Sequence, residues 1–156
     1  MNKIMRRIGG IVAAIVLSGC AMPQQRGTGD LGVIIERASG RVAIVDTTAK
    51  SVLGRVDGLG DLSHASIVFS RDERFAYVFG RDGGLTKVDI LGQRIVNRIM
   101  QAGNSIGGAI SQDGRMVVAQ NYEPGGIKVF DADTLALLAE VPSTYGSEGK
   151  RSKVVG

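Results

Sequence analysis

Tryptophan is absent from this chain of 156 residues, and cysteine and histidine occur once each. The single cysteine, Cys20, excludes any intramolecular disulfide. The single histidine, His64, has no second imidazole with which to share a metal. Proline is scarce, and no apolar run approaches the roughly 20 residues that a membrane-spanning helix needs. Net charge is also close to absent. The formal +4 includes Lys3, Arg6 and Arg7 in an opening stretch of twenty residues without an acid; the remainder holds 16 basic and 15 acidic residues. Such a chain has no Lys/Arg cluster to neutralise phosphates along a duplex, which excludes nucleic acid as a partner. Disorder is excluded as well, because it needs low hydrophobicity and high net charge, whereas 44% of the residues here are apolar.

What is present in quantity is glycine, 23 residues of it, among apolar residues. That mixture suits many short strands joined by tight glycine turns. At 156 residues there is enough chain for one domain with its own core.

The opening "MNKIMRRIGGIVAAIVLSGCAM" has a basic start, a ten-residue apolar run from Ile8 to Leu17, and then Leu-Ser-Gly-Cys. Its size and flanks are those of a signal-peptide core. The tetrapeptide resembles the lipobox of bacterial lipoproteins, in which the cysteine is diacylated and becomes the new N-terminus. Residues 1–19 are therefore expected to be a lipoprotein signal peptide, with Cys20 the lipidation site. Ala21 is not the Asp that tends to hold such proteins at the inner membrane, so a periplasmic location, anchored by lipid to the outer membrane, is expected. Membrane contact would be through that lipid alone. Residues 20–30, polar with Gly and Pro, read as a flexible tether.

From Leu31 onward the chain repeats. Residues 40–57, 83–99 and 125–141 share one plan: an alternating strand, an Asp, a short turn and a second strand. The three aspartates, Asp46, Asp89 and Asp131, are 43 and 42 residues apart. Between these units "FSRDERFAYVFG" matches "ISQDGRMVVAQN", with Ser70 and Ser111 41 apart. A period near 42 residues with several short strands per repeat predicts an all-β fold, the β-propeller. A sandwich would not repeat so regularly, and the alternation and β-branched content exclude helical repeats. About three blades are visible in residues 31–156. A propeller closes with more, so the chain is expected to be the N-terminal part of a longer protein, with a further strand beginning at residues 153–155.

Aligning the repeats on their aspartates puts Arg37, Arg81 and Tyr122 at one structural place, nine, eight and nine residues ahead of Asp46, Asp89 and Asp131. That place is expected at the end of each blade's inner strand, facing the axial channel. Guanidinium forks suit carboxylates, which they bind through two bonds, so a ligand with several carboxylates fits. The alternative, that these are solvated turn charges, stays open on spacing alone. His64 is expected just ahead of the second inner strand. Asp72, Glu73, Asp82, Asp113 and Glu123 read as turn formers. Asp82 is also placed to hold its neighbour Arg81.

The segments "DLGVIIERASGRVAIVDTTAKSV", "SHASIVFSRDERFAYVFGRDGGLTKVDI" and "NYEPGGIKVFDADTL" resemble the d1-haem propeller family of cytochrome cd1 nitrite reductase, and within it the haem d1 biosynthesis proteins. The likeness runs from about Asp30 to the end; "GRDGGLTKVD" and "NYEPGG" are its most specific parts. It implies an eight-bladed propeller. It implies haem d1, or its dihydro precursor, as the ligand, with Arg37, Arg81 and Tyr122 around the macrocycle and His64 as the iron ligand. His64 precedes Ser70 by six residues, one more than in the reductase, and a one-residue slip in a strand reverses the side-chain face. No Cys-x-x-Cys-His occurs, so the reductase's c-type haem domain is not here. The resemblance further implies dehydrogenation of a propionate side chain of dihydro-haem d1 to an acrylate, with nitrite reductase and other haem d1 assembly proteins as partners. No G-x-G-x-x-G follows a strand, so a nicotinamide or flavin is not indicated. Three functions remain: that oxidoreductase, a non-catalytic haem d1 carrier, and a lipoprotein propeller that binds protein partners through its loops.

Overall fold

The computed structural model describes residues 27–154, which are β-strands and turns apart from one 3-10 turn at Arg37–Ser39. The expected signal segment and Cys20 lie outside the described residues. Three antiparallel sheets follow one another in chain order. The first contains β1 (Leu31–Glu36), β2 (Arg41–Asp46) and β3 (Ser51–Val56). The second contains β4 (Ser66–Phe69), β5 (Phe75–Phe79), β6 (Gly84–Asp89) and β7 (Arg94–Met100). The third contains β8 (Asn104–Ile110), β9 (Met116–Glu123), β10 (Ile127–Asp131) and β11 (Leu137–Val141). A ribbon of β12 (Thr144–Tyr145) and β13 (Lys150–Arg151) follows. These successive meanders are the blades of a β-propeller. The strand expected from residue 153 is not seen: Lys153 and Val154 have no strand conformation, and Val155 lies outside the described residues.

Short side-chain loops make the turns. Ser70 Oγ donates to Asp72 Oδ1 at 2.5 Å and accepts the Phe75 amide at 2.9 Å, while Asp72 Oδ1 accepts the Arg74 amide at 3.2 Å. Ser111, Asp113, Arg115 and Met116 repeat the pattern at 2.6, 3.0 and 3.1 Å. The Ser-x-Asp-x-Arg string thus closes the first hairpin of a blade by competing for its own backbone. Asp46, Asp89 and Asp131 close the last hairpin, their Oδ1 atoms accepting the amides of Ala49, Gly92 and Thr134 at 2.7, 2.9 and 2.8 Å.

Alternation along β5 builds the core. Ala76 and Val78 join Val88 and Ile90 against Val42, Ile44 and Val56 of the first blade and Leu59 and Leu62 of the connection. Tyr77 and Phe79 point the other way and join Leu85 against Val117, Ala119 and Phe130 of the third blade. The two-residue period therefore assigns each face of the second blade to a separate seam. With both faces covered, β6 is buried along its whole length. Complete burial of Phe79 contributes on the order of 3 kcal/mol. The buried Lys87 is satisfied: its Nζ donates to the carbonyl and Oδ1 of Asp133, both at 3.0 Å, and lies 4.4 Å from the Phe75 ring centroid.

The aspartate alignment makes β1, β5 and β9 equivalent, so the leading strands of the second and third blades are β4 and β8. These two pack against each other, as edges converging on one axis do. The first blade has no counterpart of them among the described residues. Asp30, expected in the flexible tether, is bonded to the blade: its carbonyl accepts the Thr47 amide and hydroxyl, both at 2.8 Å.

Candidate functional site

One rim carries all four residues singled out above. The β1–β2, β5–β6 and β9–β10 hairpins lie beside the connections that pass from blade to blade, and backbone bonds tie each to the next. Leu59 N–H donates to the Gly40 carbonyl at 3.0 Å, and Arg81 N–H to the Asp61 carbonyl at 2.8 Å. Gln101 N–H then donates to Gly83 at 3.0 Å, and Gly103 N–H to Glu123 at 3.1 Å. Glycine makes this approach possible. Gly83 has φ +83°, and a Cβ there would lie 1.8 Å from the Ala102 carbonyl oxygen. Gly40, at φ +61°, is pressed against the Gly60 carbonyl in the same way, with 2.4 Å for a Cβ.

Arg37, Arg81 and Tyr122 follow or end β1, β5 and β9, the second strand of each repeat, rather than the inner strand as expected. Period and alternation do not say which strand of a blade is axial; the packing of β4 against β8 does. Arg37 is exposed in the 3-10 turn and donates from Nη1 to the Ser63 carbonyl at 2.8 Å. His64, the next residue, is exposed in the turn ahead of β4. Asp61, which sequence reasoning passed over, is the acid that faces Arg81 and His64. Its Oδ1 accepts the Ser63 amide at 2.9 Å. Hydrogen bonds from Ser63, side chain first and then backbone, hold its carboxyl below the usual range, and the charges of Arg81 and His64 act in the same direction. The only local signal for it is the Asp61-Leu62-Ser63 string, a turn pattern that by itself says nothing of a ligand.

Arg81 is exposed, and its guanidinium donates no hydrogen bond among the described residues. The expected pairing with Asp82 is not formed. Asp82 Oδ2 instead accepts from Arg98 Nη2 at 2.7 Å, and its Oδ1 from the Gly84 amide at 2.9 Å. A partner sixteen residues away on β7 outcompetes the adjacent one because the carboxylate turns into the hairpin.

Tyr122 is half-buried, and Lys153 Nζ lies 5.1 Å from its ring centroid. The preceding residue, Asn121, is buried with Gln101, and the two exchange amide bonds at 2.9 and 3.0 Å. The structure therefore brings Arg37, Asp61, His64 and Arg81 into one corner, and sets Tyr122 with Lys153 in the next. Among the described residues no group of three or more His, Cys, Asp or Glu side chains comes together as a metal site. Guanidinium groups with spare donors, an imidazole and an ammonium-capped phenol ring fit a flat anionic ligand bearing carboxylates. The acids of the other rim, Asp72 and Asp113, are occupied as turn formers.

Comparison with known proteins narrows the class. The chain is 66% identical over 143 residues to protein NirF of Pseudomonas aeruginosa, covering 90% of this chain and 36% of that protein. It is 60% identical over 148 residues to protein NirF of Stutzerimonas stutzeri, covering 94% and 38%. The chain thus spans little more than a third of the length of these relatives. Among solved structures it is similar to dihydro-heme d1 dehydrogenase NirN in complex with DHE, with a TM-score of 0.72 at 30% identity, over 80% of this chain and 26% of that one. The Cytochrome D1 heme domain family matches residues 26–156, the whole propeller segment with both corners of the rim, and the chain belongs to that family.

Proposed function

We propose that the chain is part of a haem d1 assembly protein that binds dihydro-haem d1 and dehydrogenates one propionate arm to an acrylate. The observation that carries this reading is the exposed Arg81 guanidinium, which donates no hydrogen bond among the described residues, on the rim that also bears Arg37, His64 and Tyr122. The 30% identity to a dihydro-heme d1 dehydrogenase supports the ligand and the reaction class.

In this reading Arg37 and Arg81 pair with peripheral carboxylates, Tyr122 lies against the ring system, and His64 approaches the iron. Removing two electrons and two protons from –CH2–CH2– gives –CH=CH–, with an external acceptor taking the electrons and water or that acceptor taking the protons. The macrocycle supplies the redox-active centre, and the protein binds, orients and dries it. The product passes to nitrite reductase. Lipid at Cys20 would hold the protein on the periplasmic side of the outer membrane.

A second reading uses the same groups: the exposed Arg37, His64 and Arg81 and the half-buried Tyr122 are all suited to binding and orienting a ligand. In it the same rim serves a carrier that holds the macrocycle without turnover. An absorbance titration of the full-length protein with dihydro-haem d1, with and without an electron acceptor, tests both. A spectral conversion with two electrons passed from the bound substrate to the acceptor supports the dehydrogenase. Tight binding without conversion supports the carrier, and no absorbance change removes both.

A further inference from the structure

The Asp82–Arg98 pair sits in a space made by missing side chains. Arg98 on β7 is directly opposite Thr86 on β6, so the two share a face. Gly84, two residues before Thr86, shares it too, and its bare Cα opens a path towards the rim. The Arg98 guanidinium takes that path: a Cβ on Gly84 would lie 2.6 Å from Nη2. A Cβ on Gly60 would lie 2.1 Å from Asp82 Oδ2 and 2.4 Å from Arg98 Nη2, and one on Gly80 would lie 2.7 Å from Asp82 Oδ1. Three glycines therefore enclose one ion pair, about a quarter of which is exposed on each side: 25% for Arg98 and 27% for Asp82.

Both carboxylate oxygens of Asp82 are used inside this enclosure. Oδ1 accepts from Gly84 N–H, and Oδ2 accepts from Arg98 Nη2 and, at 3.3 Å, from Asp61 N–H. Arg98 Nε is buried without an acceptor, so the Asp82 contact is what fixes that guanidinium. Asp82 is adjacent to Arg81 in the chain, and an unoccupied carboxylate there would join Asp61 in competing for the Arg81 charge.

We propose that Arg98 is a positioning residue: it draws Asp82 into the glycine enclosure and so keeps a second carboxylate, besides Asp61, away from the Arg81 guanidinium, whose hydrogen-bond donors stay open to an anionic ligand. The proposal rests on reading the rim as a carboxylate-binding site. Arg98 does not touch the ligand. It acts by removing a charge that would otherwise add to that of Asp61 in neutralising Arg81.

The test uses the full chain and two readouts. In an absorbance titration with haem d1 at low salt, Arg98→Met is expected to weaken binding about tenfold, the scale of one charge-assisted bond. Asp82→Asn combined with Arg98→Met removes the competitor as well, and is expected to recover most of the loss. A purely structural role for Arg98 would leave the double variant as weak as the single one, and that result overturns the proposal. Unchanged affinity in Arg98→Met also overturns it. Where Arg98→Met folds poorly, Arg98→Gln serves with the same expectations. The second readout needs no ligand: the Nε–H resonance of Arg81, exchanging freely in the parent, becomes protected in Arg98→Met and reverts in the double variant. Failure of the parent to bind haem d1 counts against the proposed function, and the Arg81 resonance then decides the present proposal. No change in that resonance would falsify it.

Discussion

The Tyr77 hydroxyl donates to the Ala132 carbonyl at 2.7 Å, across the seam between the second and third blades. Both residues are buried, so water does not replace the bond when it is removed. Tyr77→Phe is expected to cost roughly 1–3 kcal/mol, measured by urea unfolding at neutral pH, because a buried acceptor loses its donor.

The same residue gives an alkaline signature. Burial first, and then the charges of Asp133, Asp72 and Asp131, raise the Tyr77 hydroxyl to about 12. The folded value lies above the unfolded one of about 10, so the neutral phenol is the form that folding favours. Its contribution is complete below about pH 10 and is lost as pH rises through about 12. The stability gap between the parent and Tyr77→Phe should therefore narrow across that window. A gap independent of pH would show that Tyr77 does not titrate in the folded chain.

The Ser-x-Asp turns make an acid-side prediction. The Ser111 hydroxyl, then the Arg115 amide and side chain, hold the Asp113 carboxyl far below the usual range. Ser111→Ala should move the Asp113 midpoint up towards an ordinary carboxylate, read by carbon-13 NMR of the carboxyl. In the parent, the stabilisation from this turn is present above the unfolded value and fades as pH falls below it.

Glycine at the rim is tested by contrast. Gly83→Ala forces a Cβ to 1.8 Å from the Ala102 carbonyl at φ +83°, and should cost at least ~2 kcal/mol through strain and backbone displacement. Gly29→Ala meets nothing within 4 Å and should be neutral to about 0.5 kcal/mol. Chemical denaturation of both variants checks the pair.

Arg81→Ala should weaken haem d1 binding by roughly 1.5–3 kcal/mol, the scale of a hydrogen bond to a charged group in a desolvated site. An absorbance titration measures this. His64→Ala should change the ligand-field spectrum of the bound iron; an unaltered spectrum would remove His64 from the iron.

The blade pattern was legible because its determinants are local. Ser70 with Asp72 and Phe75, and Asp89 with Gly92, act within six residues of chain, and alternation along Phe75–Phe79 needs only a two-residue period. The shared rim position of Arg37, Arg81 and Tyr122 was legible for the same reason, through spacing to Asp46, Asp89 and Asp131. The identity of the axial strand was not, since it depends on β4 meeting β8 across about forty residues of chain. Nor were the partners of charge. Asp82 ignores Arg81 for Arg98, and Lys153 reaches Tyr122 from the segment after β13, because long side chains choose among neighbours that only the fold assembles. Asp61 escaped notice because the guanidinium it faces, that of Arg81, comes from twenty residues further along the chain.

The two-sided pattern of β5 limits how this protein can change length. Adding or deleting one residue between Phe75 and Phe79 would send Tyr77 and Phe79 into the seam that Ala76 and Val78 now fill, and the two side-chain sets differ greatly in volume. Viable indels within that strand should come in pairs, or be confined to the hairpins, where a loop absorbs the change without exchanging the faces.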